Sequence, residues 1–367
     1  MLNIELTSAR LNSPSANIYT NNHYLLWYYP HTFTKLDGIM SEQQLIAILS
    51  DGEFHSGEAL GLALGISRSA VWKQIKKVEA LGVSLESVKG RGYCLPGGLN
   101  LLSEEAILSA MSVQARALLH RLDVEEVIAS TNEQAMAQAQ TASGLSYACT
   151  AEQQTGGKGR RGRPWFSPYA RNLYFSVTRQ FAGGAAALEG LSLAVGVVVS
   201  DVLASYGLDE VKLKWPNDIL CEQKKLAGIL LEMTGDAAGP CQVVVGIGLN
   251  VSMSAIDSSS IDQPWVDVEA ILKQRIDRNS LLAALLDAVL PLLAAYEQQG
   301  LAHYRQRFIE RDAYIGKPVY VKLGDRVVLG DCAGIDGSGA LLLDTDTGRV
   351  AFNGGEVSLR GVHAAGV

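Results

Sequence analysis

The chain has 367 residues, of which 48% are hydrophobic and 19% are charged, and its formal net charge is −7. This length predicts two or three domains of ordinary globular composition. The acidic total excludes a protein that coats nucleic acid over its whole surface, although a local basic patch stays possible.

The cysteines and histidines indicate a reducing compartment and no metal centre. The five cysteines are widely spaced without a C-x-x-C pair, and the six histidines are scattered as well. This pattern argues against a disulfide framework and against a metal held by protein ligands, and it fits the cytoplasm. No apolar run reaches the ~20 residues that a membrane span needs, so we expect no membrane contact.

Residues 1–39 differ from the rest of the chain. They are rich in polar and aromatic residues without a clear period, and they lack the basic start and apolar core of a signal peptide. We expect an unstructured extension or the product of a misassigned start codon, because a regular helical pattern begins only at Met40.

Residues 40–98 predict a winged helix-turn-helix domain. Ser56 and Ser67 are placed to cap two helices that Gly65 separates, and the second helix of such a pair enters the major groove of DNA. Residues 89–92 (K-G-R-G) are a basic hairpin turn between the short apolar strands 83–88 and 93–95, which predicts a wing. A small three-helix packing module is the alternative. The predicted DNA contacts are Ser67, Arg68, Ser69, Lys73, Gln74, Lys77, Lys89 and Arg91.

Residues 101–312 predict an α/β domain with a mixed sheet, and residues 315–362 predict a small SH3-like antiparallel β-barrel. The fold class is therefore α+β, with the winged helix as a third domain. The predicted strands of the central domain are 124–128, 146–153, 172–178, 211–215, 219–221, 225–233 and 243–251. The predicted helices are 131–140, 185–206 and 279–299, the last with Pro291 as a bend.

A glycine-arginine loop occupies residues 156–163, where four cations alternate with four glycines. Glycine loses much backbone entropy on ordering, so we expect a loop that closes on a ligand. The arginine fork grips phosphate or carboxylate with two parallel hydrogen bonds. The spacing is not that of a Walker loop. A solvated basic loop or an RGG-like contact to nucleic acid is the alternative.

Three further clusters could carry chemistry. Residues 130–132 (S-T-N) offer hydroxyl and amide groups at a helix start, suited to an uncharged polar group, although ordinary capping would use the same residues. Lys225 begins an apolar strand, so its amine needs a partner or a ligand, unless it is a plain strand-edge lysine. Residues 214–218 (K-W-P-N-D) are unusual for a simple turn. The sequence shows neither a Ser-His-Asp nor a Cys-His arrangement for covalent catalysis. A reaction at these clusters would therefore depend on positioning and charge neutralisation.

Together these motifs resemble bacterial biotin–protein ligases of the long form that are also biotin operon repressors. The resemblance covers about residues 40–360 and rests on the winged helix, S-T-N, G-x-G-R-R-G-R-x-W-F-S-P, K-W-P-N-D and K-L-A-G-I-L. It implies that biotin and ATP with Mg²⁺ give biotinyl-5′-AMP, and that a lysine of the biotin carboxyl carrier protein then accepts biotin. It also implies that biotinyl-5′-AMP is a corepressor that favours a homodimer on a palindromic biotin operator.

The resemblance implies a role for each residue of the motifs. The implied biotin contacts are Ser130, Thr131, Asn132, Gln154, Lys158, Gly159, Arg160 and Lys225. The implied adenylate contacts are Arg160, Arg161, Arg163, Trp165, Asn217, Trp265 and Arg360, although Trp265 could be an ordinary loop aromatic. The implied catalytic residues are Lys225, Arg160 and Asp218, the last as the partner of the acceptor lysine.

The loop departs from the family's usual sequence at two positions, and three other functions stay open. The family usually has arginine at position 158 and a basic residue at 164, where this chain has Lys158 and Pro164, so we expect altered adenylate retention. A lipoate–protein ligase also reacts through an acyl-adenylate, but it lacks the arginine-rich loop and the fused winged helix. A ligand-sensing repressor without catalysis, or a ligase whose winged helix no longer binds DNA, also stays open.

Overall fold

The computed structural model describes residues 42–138, 145–236, 238–253, 259–324, 326–354 and 357–361, without the side chains of 357, 358 and 360. The expectations for residues 1–39 therefore lie outside the described residues.

The first domain is a three-helix unit with a two-stranded hairpin. Its elements are α1 (Glu42–Leu49), α2 (Gly57–Leu64), α3 (Arg68–Ala80), β1 (Glu86–Val88) and β2 (Gly92–Cys94). The Ser56 and Ser67 side chains accept from backbone N–H groups in the first turns of α2 and α3, and Gly65 ends α2 with a φ of 67°. The predicted helix-turn-helix and wing are confirmed.

The central domain is built on a seven-stranded mixed sheet with strand order β3-β4-β5-β9-β8-β7-β6. Only the β3–β4 pair is parallel among these pairings. The strands are β3 (Leu119–Ile128), β4 (Ser146–Gln154), β5 (Leu173–Phe181), β6 (Val211–Lys214), β7 (Asp218–Cys221), β8 (Lys224–Gly235) and β9 (Cys241–Leu249). The helices are α4 (Glu104–Ala110), α5 (Val113–Arg116), α6 (Thr131–Gln138), α7 (Leu191–Ser205), α8 (Val268–Leu272), α9 (Arg278–Gln299) and α10 (Ala302–Arg311). The mixed sheet predicted from the sequence is confirmed.

The helices α7 and α9 supply much of the core. Gly184–Ser205 and Arg278–Gln299 are each 22 residues of helical chain, long and apolar enough to cross a membrane. Neither is an uninterrupted apolar run, because Glu189 and Asp201 lie in the first and Asp287 and Glu297 in the second. More than half of each segment is buried inside the protein, as in the core helices of a globular fold.

The C-terminal domain is a five-stranded antiparallel sheet with strand order β13-β12-β11-β10-β14. Its strands are β10 (Pro318–Leu323), β11 (Arg326–Ile335), β12 (Leu341–Thr345), β13 (Gly348–Phe352) and β14 (Val357–Gly361). It is joined to the central sheet where Trp215 Nε1 donates to the Gly339 carbonyl at 3.0 Å. The predicted small antiparallel β domain is confirmed.

A buried ion pair between α9 and β4 of the central domain also holds the linker that follows the first domain. Arg278 Nη2 lies 2.7 Å from Glu152 Oε2, and the two side chains are only 3% and 6% exposed. The same guanidinium donates to the Asn100 carbonyl, and Glu152 Oε1 accepts from the Leu102 N–H at 2.6 Å. Because Glu152 lies on β4, this pair fixes the linker beside the strand that ends at Gln154.

Candidate active site

A cavity of about 1080 Å³ brings together the four motif clusters that are far apart in the sequence. The turn after α3 borders it too, through Leu81 and Gly82. The sequence-predicted residues that line it are Ser130, Thr131, Asn132, Gln154, Lys158, Gly159, Arg160, Arg161, Arg163, Trp165, Asn217, Asp218, Lys225 and Trp265. The side chain of Arg360 lies outside the described residues.

One end of the cavity is polar and uncharged. Ser130, Thr131 and Asn132 are each about 5% exposed or less, at the start of α6. The Thr131 N–H donates to Gln154 Oε1 at 2.8 Å, and the Thr131 hydroxyl approaches the same oxygen at 3.1 Å. Buried polar groups held in this way present fixed donors and acceptors to a ligand.

Two residues that the sequence analysis missed hold this polar end from behind the cavity lining, the hydroxyl of Ser176 and the carboxylate of Glu232. Ser176 on β5 is fully buried, and its Oγ lies 2.7 Å from Thr131 Oγ1 and 2.6 Å from Asn132 Oδ1. Asn132 Nδ2 donates to Glu232 Oε2 on β8 at 2.7 Å. These bonds set the orientation of the Asn132 amide. A serine in the middle of an apolar strand gives no sequence signal of its own.

The opposite end carries a charged centre. Lys225 Nζ lies 2.8 Å from Asp218 Oδ1, and Lys214 Nζ lies 3.8 Å from Asp218 Oδ2. The Lys225 and Asp218 side chains are only 16% and 15% exposed, so their charges are partly shielded from solvent. The predicted need of Lys225 for a partner is therefore met by Asp218.

Asn217 secures the turn that carries Asp218. Its Nδ2 donates to the Ile229 carbonyl at 2.8 Å, and the Ile229 N–H donates back to the Asn217 carbonyl at 2.9 Å. The preceding Trp215 is buried, with 1% exposed. The K-W-P-N-D segment is thus a turn between β6 and β7 that is bound to β8 and to the C-terminal domain.

The glycine-arginine loop folds back on itself. The Gly159 N–H donates to the Arg163 carbonyl at 2.7 Å, and Arg160–Gly162 forms one 3-10 turn in which Arg161 has a φ of 62°. Positive φ is costly for a residue with a side chain, so this turn stores backbone strain. Arg161 and Arg163 are exposed at the mouth of the cavity.

Arg160 joins the loop to the K-W-P-N-D turn of the same domain and to the C-terminal domain. Its guanidinium donates to Asn217 Oδ1 at 3.5 Å and to the Gly354 carbonyl of the C-terminal domain. Burial lowers the pKa of the Arg160 guanidinium, and the Asp218 carboxylate opposes that shift. Arginine starts from a pKa so high that the group keeps its charge.

Lys158 is held differently. Its Nζ lies 2.6 Å from Glu133 Oε1 on α6, and both side chains are 53% exposed. The hydrogen bond that Lys158 Nζ donates to Glu133 raises the pKa of the Lys158 amine. Glu133 therefore connects the loop to α6, the helix that carries the polar end.

Trp165 lies inside the cavity against two glycines. A Cβ added at Gly228 would stand 3.0 Å from Trp165 Cζ3, and one at Gly248 would stand 2.6 Å from Cζ2. Lys225 Nζ is 5.2 Å from the ring centroid. Trp165 Nε1 is buried and meets no hydrogen-bond partner among the described residues, so it is a donor available to a ligand.

The remaining predicted residues lie around these groups. Trp265 is half-buried, and its segment pairs with the Lys225 backbone. The backbone of Arg360 pairs with Tyr320 on β10. In the described parts of the chain, no group of three His, Cys, Asp or Glu side chains could hold a metal ion.

The predicted DNA contacts form a surface on α3 and the wing. Ser67, Arg68, Ser69, Lys73, Lys89 and Arg91 are exposed. The Arg91 guanidinium lies 3.8 Å from the centroid of the Phe54 ring. Two of the predicted DNA contacts differ from these exposed, outward side chains. Gln74 is half-buried, and Lys77 Nζ lies 2.6 Å from Glu42 Oε1 on α1.

Comparison with known proteins matches every domain. Residues 124–250 match the biotin/lipoate A/B protein ligase family, residues 314–360 the biotin protein ligase C terminal domain, and residues 41–94 an HTH domain. The chain is similar to the bifunctional ligase/repressor BirA of Escherichia coli (strain K12), with 42% identity over 318 residues, 86% of this chain and 96% of that relative.

Two further relatives agree. The biotin–[acetyl-CoA-carboxylase] ligase of Paracoccus denitrificans is 34% identical over 237 residues, 63% of this chain and 98% of that relative. The solved structure of the biotin protein ligase from Aquifex aeolicus in complex with biotin and ATP has a TM-score of 0.57 at 28% identity, covering 66% of this chain and 99% of that one.

Proposed function

Because the chain belongs to the biotin–protein ligase family in its bifunctional ligase/repressor form, we propose that its cavity makes biotinyl-5′-AMP and passes biotin to a carrier-protein lysine. One observation carries this assignment. A single cavity has an uncharged polar end at residues 130–132 and a cationic end at Lys225 and Arg160. Biotin combines an uncharged ring system with a carboxylate, and ATP adds several negative charges.

The first step joins two anions. A carboxylate oxygen of biotin forms a bond to the α-phosphorus of ATP, the bond from that phosphorus to the α,β-bridging oxygen breaks, and pyrophosphate leaves. No proton is transferred. The barrier is dominated by charge repulsion, so the amine of Lys225 and the guanidinium of Arg160 serve by stabilising the negative charge at the phosphorus.

The polar end suits the ring system of biotin. Thr131, Asn132 and Ser176 are neutral and buried, and Gln154 holds the Thr131 N–H and hydroxyl. A site of this kind rejects molecules that leave its buried groups unpaired, which gives it specificity. We assign the ring system of biotin to this end and its carboxylate to the side facing Lys225.

The second step transfers biotin to a lysine of the biotin carboxyl carrier protein. The lysine nitrogen attacks the carbonyl carbon of the mixed anhydride, AMP leaves, and the amine loses a proton. We assign the acceptance of that lysine to Asp218, whose carboxylate already binds an ammonium group at 2.8 Å. A carboxylate in this place can hold the incoming amine and help remove its proton.

The glycine-arginine loop is proposed to close over the adenylate. Arg160 reaches Asn217 and the Gly354 carbonyl, so the loop, the K-W-P-N-D turn and the C-terminal domain meet over the cavity. We assign Arg161, Arg163, Trp165 and Arg360 to the nucleotide side, with Trp265 beside Lys225. Closure would keep water from the reactive anhydride.

Mg²⁺ would enter with ATP as part of the substrate. It prefers oxygen ligands and is commonly held by substrate phosphates with one or two carboxylates. The described residues offer no three-residue acidic cluster, so we assign charge neutralisation on the protein side to Lys225 and to the loop arginines.

The regulatory half of the proposal concerns DNA. The exposed cations of α3 and the wing fit a phosphate backbone, and biotinyl-5′-AMP is proposed as the corepressor of a homodimer on a palindromic biotin operator. A reaction that uses ATP beside operator DNA belongs in the cytoplasm. All five cysteines are unpaired and buried, in keeping with a reducing compartment.

A specific observation argues against each of the three alternative functions that the sequence leaves open. The Paracoccus relative named as a biotin–[acetyl-CoA-carboxylase] ligase and the Aquifex biotin protein ligase disfavour a lipoate–protein ligase. The close contact of Lys225 with Asp218 in the cavity disfavours a sensor without catalysis. The exposed cations of α3 disfavour a winged helix that only packs against the core.

Incubation of the full chain with labelled biotin, MgATP and the unmodified carrier protein tests the enzymatic proposal. We expect label on the carrier, dependent on ATP, and none when labelled lipoate replaces biotin. Label transferred from lipoate at a similar rate would contradict the assignment of the polar end to biotin.

A further inference from the structure

One large aromatic side chain on the outward face of α3 is only half covered. Trp72 is 53% exposed, whereas Val71, Ile75 and Val78 on the inner face of the same helix are buried. The three-helix core is therefore complete without the indole. Lys76 Nζ lies 5.9 Å from the centroid of its ring, a contact that leaves the indole facing solvent.

The residues around Trp72 are exposed and mostly cationic. Arg68 and Ser69 precede it by four and three residues, and Lys76 follows it by four, so all of them share one face of α3. Lys73 lies alongside, and each of these side chains is exposed. Of the three cations beside the indole, Lys76 is also paired with Glu79 at 2.7 Å, whereas Arg68 and Lys73 project from α3 into solvent. An apolar ring beside such cations predicts a partner with dense negative charge and an apolar feature within reach.

Duplex DNA meets both requirements. The cations match phosphates, and the thymine C5-methyl group is the apolar group that base edges display in the major groove. A recognition helix contacts base edges mainly with its N-terminal residues, and Trp72 is the fifth residue of α3.

We infer that Trp72 is a specificity-determining residue of the winged helix, which packs its indole against a thymine methyl group in the major groove of each half-site. This inference rests on the proposed DNA binding. Arg68 and Lys73 then bind phosphates or neighbouring base edges and hold the helix in register. The contact adds sequence preference to an electrostatic affinity that alone has none.

The experiment uses the full chain with biotin and MgATP present. Binding sites are first selected from a pool of random double-stranded DNA. Each thymine of the selected site is then replaced by uracil, which removes the methyl group and keeps every hydrogen-bonding atom. Dissociation constants are measured by fluorescence anisotropy for the parent and for Trp72→Ala.

We expect one thymine in each half-site at which uracil weakens binding of the parent about fourfold, as for the loss of one buried methyl group. In Trp72→Ala the same replacement has no effect, and Trp72→Phe keeps part of it. The uracil series in the parent needs no variant, so a folding defect cannot imitate the result.

Leu62→Ala is the matched control, because Leu62 is 86% exposed on α2 and its removal also takes away apolar surface. It should leave the uracil profile unchanged. A parent that binds the selected DNA but responds equally at every thymine overturns the inference alone. A parent that selects no DNA overturns the inference together with the proposed repressor function. Weaker dimerisation of Trp72→Ala without DNA, with an unchanged uracil profile, would assign Trp72 to a protein interface and overturn the inference.

Discussion

Lys225 Nζ lies 2.8 Å from Asp218 Oδ1, across two neighbouring strands of the central sheet. The two residues are proposed to act in consecutive steps, the lysine on the anionic phosphorus and the aspartate on the incoming amine. Each therefore holds the other in place while the substrates are absent. The half-reactions can be measured separately, so the two roles can be told apart.

Lys225→Met should abolish most of the adenylation rate. The loss of one preorganised charge at the reacting phosphorus typically lowers kcat about 10²–10³-fold. Biotin-dependent exchange of labelled pyrophosphate into ATP measures this step. Lys224→Met is the matched control, since the adjacent Lys224 is exposed and lies 3.6 Å from Glu222 at the surface. Equal losses in the two variants would contradict the role of Lys225.

Asp218→Asn should impair transfer more than adenylation. Asparagine keeps the shape but cannot accept a proton, and general bases typically contribute about 10²–10⁴-fold. We expect transfer from preformed biotinyl-5′-AMP to the carrier to fall by about 10²-fold, while pyrophosphate exchange changes by only a few-fold. A variant that loses both half-reactions to the same extent would assign Asp218 to the positioning of Lys225 alone.

Lys158→Arg should lengthen the time for which the adenylate stays bound. Arginine can grip an anion with two parallel hydrogen bonds, whereas Lys158 offers a point charge that Glu133 holds at 2.6 Å. We expect retention to rise on the order of threefold, measured by the release of labelled biotinyl-5′-AMP. Lys89→Arg in the wing is the control. Retention indistinguishable from that of the parent would refute the expectation.

Arg278→Met should destabilise the protein strongly. It leaves the Glu152 carboxylate buried without its cation, and breaking a buried pair costs about 3–5 kcal/mol. Arg307→Met, which removes a partly exposed partner of Asp201, should cost about 0–1 kcal/mol. Urea denaturation measures both free energies of unfolding. Adding Glu152→Gln to Arg278→Met should recover part of the loss, and failure to do so would show that the charge is not its cause.

The sequence predicts those parts of the fold that depend on local pattern. The sequence predicts that α2 begins after Ser56 and ends at Gly65, and that the next helix, α3, begins after Ser67. The structure confirms these three positions. Local chemistry is enough for these predictions. That the motif clusters contact one ligand was implied by the family resemblance and not by local pattern.

Two of the contacts that the sequence does not predict depend on how distant elements pack together. Ser176 lies on β5 and Asn132 on α6. The two side chains meet because β5, which pairs with β9, packs against α6. Glu152 and Arg278 are 126 positions apart and have no mutual signal. Trp72 differs in kind, since a tryptophan within a helical pattern is more often a core residue, and only the structure gives its exposure.

The central claim is that the glycine-arginine loop closes over an acyl-adenylate whose charge Arg160 and Lys225 neutralise. The most direct measurement is a crystal structure of the chain with a non-hydrolysable biotinyl-5′-AMP analogue. The account predicts the Lys225 amine and the Arg160 guanidinium within about 3 Å of analogue oxygens, as charge-assisted hydrogen bonds require. An analogue bound in the cavity while both side chains face bulk solvent would contradict it.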